Sequence, residues 1–280
     1  MDKNLDILPI QPIENESKMK KKIHPNLPNI YKGQLLIVAA PIRSGKSVMW
    51  NNMLLNPNFY ADCFQDVTVI SNTIFNDATS RFAAEKWKNT CYEMYSDDLI
   101  TSLIKQQKEK KDGEGDSSFA LILDDICGDL NKHGRKGGKA IHFSTRFRHS
   151  VNRGDACLML YSNQKYNDIS TIIRNNATGM LISGNIKSKK ELQSIKDDIQ
   201  DTFGGSEEFD RMFRRAQEKP YSWLYFRLDS TPPEVYLDFK EKLYPNNFLK
   251  PKNWFNTKNL KININNLILY LLIYINEQPF

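Results

Sequence analysis

Residues 33–55 read GQLLIVAAPIRSGKSVMWNNMLL, and the order of their parts decides the architecture. The apolar run over 34–39 predicts a buried strand, and 46–55 predicts a helix. Between them, Ala40-Pro41-Ile42-Arg43-Ser44-Gly45-Lys46-Ser47 has a small residue, four spacers, then Gly-Lys-Ser. That pattern, after a strand and before a helix, describes a loop whose successive backbone N–H groups wrap a phosphate. The helix starting near Lys46 adds unpaired amide donors and the positive end of its dipole. Ala40 stands where glycine is commoner, and suffices if the chain turns there without a positive φ.

A triphosphate in such a loop dictates the roles of its neighbours. Ala40, Pro41, Ile42, Arg43, Ser44, Gly45, Lys46, Ser47 and Val48 are the expected nucleotide contacts. Lys46 would reach the β- and γ-phosphates, and the Ser47 hydroxyl would hold Mg²⁺. The metal needs a carboxylate as well, and FALILDDICG (119–128) supplies candidates. Its apolar run delivers Asp124 and Asp125 to the carboxyl end of a strand, where open α/β sheets bind ligands. Asp124 is the expected Mg²⁺ aspartate, acting through water, and Asp125 the group that orients or deprotonates the attacking water.

The rest of the chain is compatible with a large α/β domain. It has 280 residues, 40% of them hydrophobic, with a net charge of +6. Cys63, Cys91, Cys127 and Cys157 lie far apart without a C-x-x-C pair, which argues for reduced thiols and against a zinc cluster or disulfide framework. The N-terminus lacks the apolar core of a secretory signal, so export is not expected. The apolar run Leu267–Ile275 is too short to span a bilayer.

Residues 1–30, with four prolines, read as an extended arm, residues 31–244 as the folded domain, and residues 245–280 as a basic and apolar tail. Within the domain, strands are expected at 34–39, 67–71, 119–123, 157–161 and 178–183. Helices are expected at 46–55, near 77–88, 97–110, around 168–174, 189–202 and 206–218, and a hairpin at YSWLYFRLD-STPPE-VYLDF closes the domain. Alternation of this kind implies a mostly parallel sheet with helices on both faces.

Residues 131–153 carry seven Lys or Arg and no acid, with three glycines loosening the first half. Such a connector suits a phosphodiester backbone read by charge, and Lys132, Arg135, Lys136 and Lys139 are its candidate DNA contacts. The histidines of this stretch, His133, His142 and His149, do not make a convincing metal set.

The stretch STRFRHSVNRGDACLMLYSNQKYNDISTIIRNNATGMLI (144–182) resembles the FtsK–HerA superfamily of DNA pumps, and in layout the poxvirus-type genome-packaging ATPases of large DNA viruses and virophages. The likeness spans about residues 33–239 and implies a RecA/ASCE-like P-loop NTPase fold. It places Gln164 as a polar sensor of the γ-phosphate, Arg174 and Asn175 on an Ile-Arg-x-Asn-like motif, and Arg148 in an Arg-containing helix. By analogy one of Arg146, Arg148 and Arg174 serves a neighbouring subunit's ATP; which one is open. Asn163 stands where Thr is common, and Asp125 where Glu is usual.

The resemblance implies an ATP-hydrolysing, Mg²⁺-dependent double-stranded DNA translocase that packages a viral genome. It would act as a homo-oligomeric ring with a capsid or portal-vertex protein, in host cytoplasm or virion, and without a membrane partner. A helicase-like ATPase and a nucleotide-gated assembly adaptor are the alternatives.

Overall fold

A computed structural model of the chain describes residues 21–113, 115–126, 128, 130 and 138–244. Its nine strands are β1 (Gln34–Ala39), β2 (Asp66–Ser71), β3 (Cys91–Tyr92), β4 (Phe119–Asp124), β5 (Cys157–Asn163), β6 (Gly179–Ser183), β7 (Trp223–Arg227), β8 (Glu234–Leu237) and β9 (Glu241–Tyr244). They form one sheet in the order β3-β2-β4-β5-β1-β6-β7-β8-β9. Pairing is parallel from β3 to β6 and antiparallel from β6 to β9. The expected mostly parallel sheet is present, with the β7–β8 hairpin at its far side.

Helices cover both faces: α1 (Lys46–Leu55), α2 (Arg81–Lys86), α3 (Asp97–Asp112), α4 (Lys139–Ser144), α5 (Thr171–Asn176), α6 (Lys189–Ile199) and α7 (Ser206–Gln217). Strands β1, β4 and β5 are buried along their whole length, as a two-sided cover requires. Because side chains alternate along a strand, Leu36 and Val38 point into one layer with Trp50 and Met53 of α1. Leu35 and Ile37 point into the other, with Ile195 of α6 and with Phe209 and Phe213 of α7. Leu27, Ile30 and Tyr31, ahead of β1, are buried in the α1 layer.

Several boundaries differ from the sequence expectation. Part of the basic connector, read as an open loop, folds into α4 and a 3-10 turn at Phe147–Ser150. Ala140, Ile141 and Phe143 are buried there, and the Phe143 ring stacks on Phe119 at 5.9 Å, so the apolar residues between the basic ones bind this half to the sheet. The helix expected near 77–88 is a 3-10 turn (Ala78–Ser80), α2 and a second 3-10 turn (Lys88–Thr90). Strands β3 and β9 add to the strands expected from the sequence. Cys63, Cys91 and Cys157 are buried free thiols, and burial pushes Cys91 up to about 11 and Cys157 to about 12. Among the described residues no helix is long and apolar enough to cross a membrane. Cys127, His133, Lys132, Arg135, Lys136 and the tail 245–280 lie outside the described residues.

Candidate active site

The loop Ala40–Ser47 leaves the carboxyl end of β1 and enters α1, as its sequence pattern requires. Its first residue is tied to β5 by a hydrogen bond from the Ala40 amide to the Asn163 carbonyl, 3.1 Å. Ser44 N–H donates to Pro41 O at 3.3 Å, which tightens the turn. Gly45 takes a left-handed φ of 84° at the N-cap and Arg43 a φ of 62°, whereas Ala40 is not among the positive-φ residues. No side chain caps α1, so the first-turn amides have no side-chain acceptor. Ser44 and Lys46 are buried, Ser47 is half-buried, and Ile42 and Val48 are exposed.

Strand order brings the remaining groups to this loop. β5 is inserted between β1 and β4, so its end and that of β4 lie side by side next to the loop. In register, Ser71, Asp124 and Ser162 form a row across β2, β4 and β5. Asp124 is 3% exposed, and its Oδ2 accepts from Ser71 Oγ at 3.1 Å. Its Oδ1 and the Ser162 hydroxyl are buried without a hydrogen-bond partner. Burial pushes the Asp124 carboxyl above its ordinary value, against the opposing pull of Ser162, Lys46 and Ser71.

The next residue has a different environment. Asp125 adopts φ 54°, with its amide on Ser162 O at 2.8 Å, and turns its carboxylate toward the loop. Lys46 Nζ donates to both oxygens, at 3.0 and 2.9 Å, and Gln164 Nε2 donates to Oδ2 at 3.0 Å. Three residues singled out for nucleotide chemistry, Lys46, Asp125 and Gln164, therefore meet at one point.

Arg148 and Arg174 do not join them. Arg148 lies against Gly33 at the start of β1, where a glycine Cβ would sit 2.3 Å from its Cγ. β1 advances about 3.3 Å per residue, so Arg148 sits at the opposite edge of the sheet, about 20 Å from the phosphate loop. Arg174 forms an ion pair with Asp198, donates to Thr171 Oγ1 at 3.3 Å, and lies 4.9 Å from the centroid of the Tyr166 ring. Asp97 caps the start of α4, its Oδ1 accepting from the Lys139 amide at 2.8 Å, while the Lys139 side chain faces solvent.

A further carboxylate, which the sequence pattern does not point to, lies near the loop. Asp77 accepts from the Thr79 amide and the Ser80 hydroxyl, both at 3.0 Å, and faces Ser47 from the 3-10 turn packed on α1. Although burial pushes its carboxyl up, hydrogen bonds from Thr79, Ser80 and Ser47 hold it below its ordinary value. Asp followed by Thr and Ser signals a cap in the sequence; its approach to Ser47 is a tertiary contact that no local pattern encodes.

Ser47 and Asp124 fit a magnesium ion with bound water. The donors are hard oxygens, and the buried Asp124 Oδ1, which faces the Ser162 hydroxyl without a formed hydrogen bond, has acceptor capacity that a metal-bound water would use.

No family model matches this sequence, and no curated protein does. Among solved structures, B204, the DNA-packaging ATPase of Sulfolobus turreted icosahedral virus, superposes with a TM-score of 0.52 at 17% identity, covering 73% of this chain and 96% of that one. The genome-packaging NTPase B204 of Sulfolobus turreted icosahedral virus 2 in complex with ATP-γS gives 0.50 at 18% identity, over 73% and 95%. Its AMPPCP complex gives 0.52 at 15% identity, over 73% and 96%. This chain has a P-loop NTPase fold. At such identities the likeness is one of fold, and it agrees in fold with the resemblance drawn from residues 144–182.

Proposed function

We propose that this protein is an ATP-hydrolysing motor that moves double-stranded DNA into a viral capsid. The convergence of Lys46, Asp125 and Gln164 within hydrogen-bond distance, at the end of a phosphate-loop strand, carries the reading. The fold shared with viral genome-packaging NTPases supports the choice of DNA as the cargo.

In this reading the loop amides and Lys46 bind the triphosphate, with Ser47 and Asp124 holding Mg²⁺, which neutralises charge on the phosphate oxygens. Lys46 exchanges Asp125 for phosphate oxygens, which frees the Asp125 carboxylate to take a proton from the attacking water. Gln164 stays within reach of both carboxylate and phosphate and reports which is present. Lys132, Arg135, Lys136 and Lys139 are assigned to the DNA backbone. One of Arg146 and Arg148, both exposed, is assigned to a neighbouring subunit's ATP, since the Arg174 guanidinium is already paired with Asp198. A ring of subunits and a capsid or portal-vertex partner complete the proposal, with the tail 245–280 outside the ATPase domain, into which Leu27 and Ile30 at the end of the expected arm are packed.

Steady-state ATP hydrolysis by the full chain, measured with and without blunt duplex DNA across a salt series, tests this. Duplex DNA should stimulate turnover, the effect should fade with salt, and a forked substrate should not be unwound. No response to DNA at any salt would overturn the motor reading, and strand displacement would favour a helicase. Packaging by a Lys46→Ala variant that no longer binds ATP would favour an assembly adaptor.

A further inference from the structure

Tyr221 lies at the same sheet edge as the phosphate loop, and nothing above gives it a task. It precedes β7, whose first residue, Trp223, pairs with Ser183 at the end of β6. The chain after it is fixed: Gly184 N–H donates to Ser222 O at 3.0 Å, and Trp223 N–H donates to Asp238 Oδ1 at 2.8 Å. Tyr221 itself has φ 60°, a left-handed conformation that an aromatic residue adopts only at a cost. The residue is 62% exposed.

A strained backbone thus holds a large ring in water, where the ring recovers little burial energy. The ring is not remote from the chemistry. A Cβ built on Gly45 would lie 3.6 Å from Tyr221 Cδ1, in van der Waals contact. Of the six non-glycine residues with positive φ among those described, Arg43, Asp125, Tyr221 and Asp238 belong to this edge. Two of them already have a place in the site, and strain of this kind gathers where a ligand is held.

We propose that Tyr221 is the base-stacking residue of the nucleotide site, its ring taking the face of the purine while the loop takes the phosphates. The assignment rests on the nucleotide reading above. An exposed ring beside a phosphate cradle offers what a nucleoside triphosphate still needs once its phosphates are bound, a flat apolar surface for the base. Ile42 and Val48 add exposed apolar surface in the loop and in the first turn of α1. Stacking uses the π-face that all bases share, so Tyr221 favours purines over pyrimidines by area and separates adenine from guanine poorly.

The test is calorimetric binding of ATP, CTP and inorganic tripolyphosphate, each with Mg²⁺, to the full-length wild type, Tyr221→Phe and Tyr221→Gly. Glycine accepts the left-handed backbone, so this substitution removes the ring without adding strain. Tyr221→Gly should bind ATP roughly tenfold more weakly, the scale of a lost base–aromatic stack. It should bind tripolyphosphate as the wild type does and lose the preference for ATP over CTP, while Tyr221→Phe should retain ATP affinity. Equal losses for ATP and tripolyphosphate would make the ring a prop for the loop and overturn the assignment, as would unchanged ATP affinity. If the wild type binds neither ATP nor tripolyphosphate, the nucleotide reading falls too, which separates the two failures.

Discussion

The amino and carboxyl edges of the sheet differ in how their polar groups near β4 and β5 are used. At the amino edge, several polar groups find partners within the protein, although Tyr225 Oη is buried without one: the Ser117 amide and hydroxyl donate to Asp155 Oδ2 at 2.8 and 2.7 Å, and the Asn152 amide donates to Ser117 Oγ at 2.6 Å. Gln34 accepts from Thr178 Oγ1 and donates to Asp229 Oδ2, each at 2.9 Å. At the carboxyl edge, Asp124 Oδ1 and Ser162 Oγ are buried without partners, and Arg43, Asp125 and Tyr221 hold left-handed conformations. Buried polar groups are ordinarily satisfied, so an edge that leaves hydrogen-bonding capacity unused and stores backbone strain is one that a ligand completes. The amino edge supplies stability, and the carboxyl edge gives up some of it for binding.

Substitutions on each edge can break or sharpen this contrast. The largest effect belongs to Asp125→Asn, which should lower ATP turnover by about 100-fold, the scale of a lost general base. ATP binding should persist because Lys46 is released from its carboxylate partner; a single-turnover assay beside equilibrium binding separates the two. If binding falls in step with turnover, Asp125 is a structural partner of Lys46 and nothing more.

A smaller effect, of another kind, is expected at the amino edge. Asp155→Ala should lower the unfolding free energy by about 2 kcal/mol, because the Ser117 donors lose their buried acceptor, with turnover per folded molecule unchanged. Chemical denaturation with an activity assay normalised to folded protein measures both. A change in turnover at constant stability would blur the division between edges.

The smallest expected change is a gain. Asp124→Asn should raise stability without magnesium by about 1 kcal/mol, since an amide avoids burying a carboxylate with an orphaned oxygen. Thermal melts with and without Mg-ATP check it, and the ligand should stabilise the wild type but not the variant. A loss of stability without ligand would mean that the orphaned oxygen is no liability.

How much of this was legible in the sequence follows from the range of each interaction. The β1–loop–α1 unit and the strand ending in Asp124 and Asp125 are local patterns, and both stand where they were read. The meeting of Lys46 with Asp125 links residues 79 positions apart and depends on β5 lying between β1 and β4. Alternation of strands and helices does not encode that order. α4 was hidden because its six residues follow a glycine- and lysine-rich run, and its stability comes from Phe143 on Phe119 and from the Ala140 amide on Tyr95 Oη. β3 has two residues and β9 four, too short for a period to show. Tyr221 reads in the sequence only as the first residue of the closing hairpin; its left-handed φ and its approach to Gly45 are tertiary features that no local pattern encodes.

The account rests on the carboxyl edge being a magnesium–nucleotide site, and calorimetric titration of ATP into the full-length protein with Mg²⁺, with EDTA, and with Lys46→Ala in Mg²⁺ examines it most directly. The account predicts a saturable isotherm for wild type in Mg²⁺, markedly weaker binding in EDTA, and none for Lys46→Ala. Uptake of ATP that is indifferent both to the metal and to Lys46, or no uptake by the wild type, would contradict it.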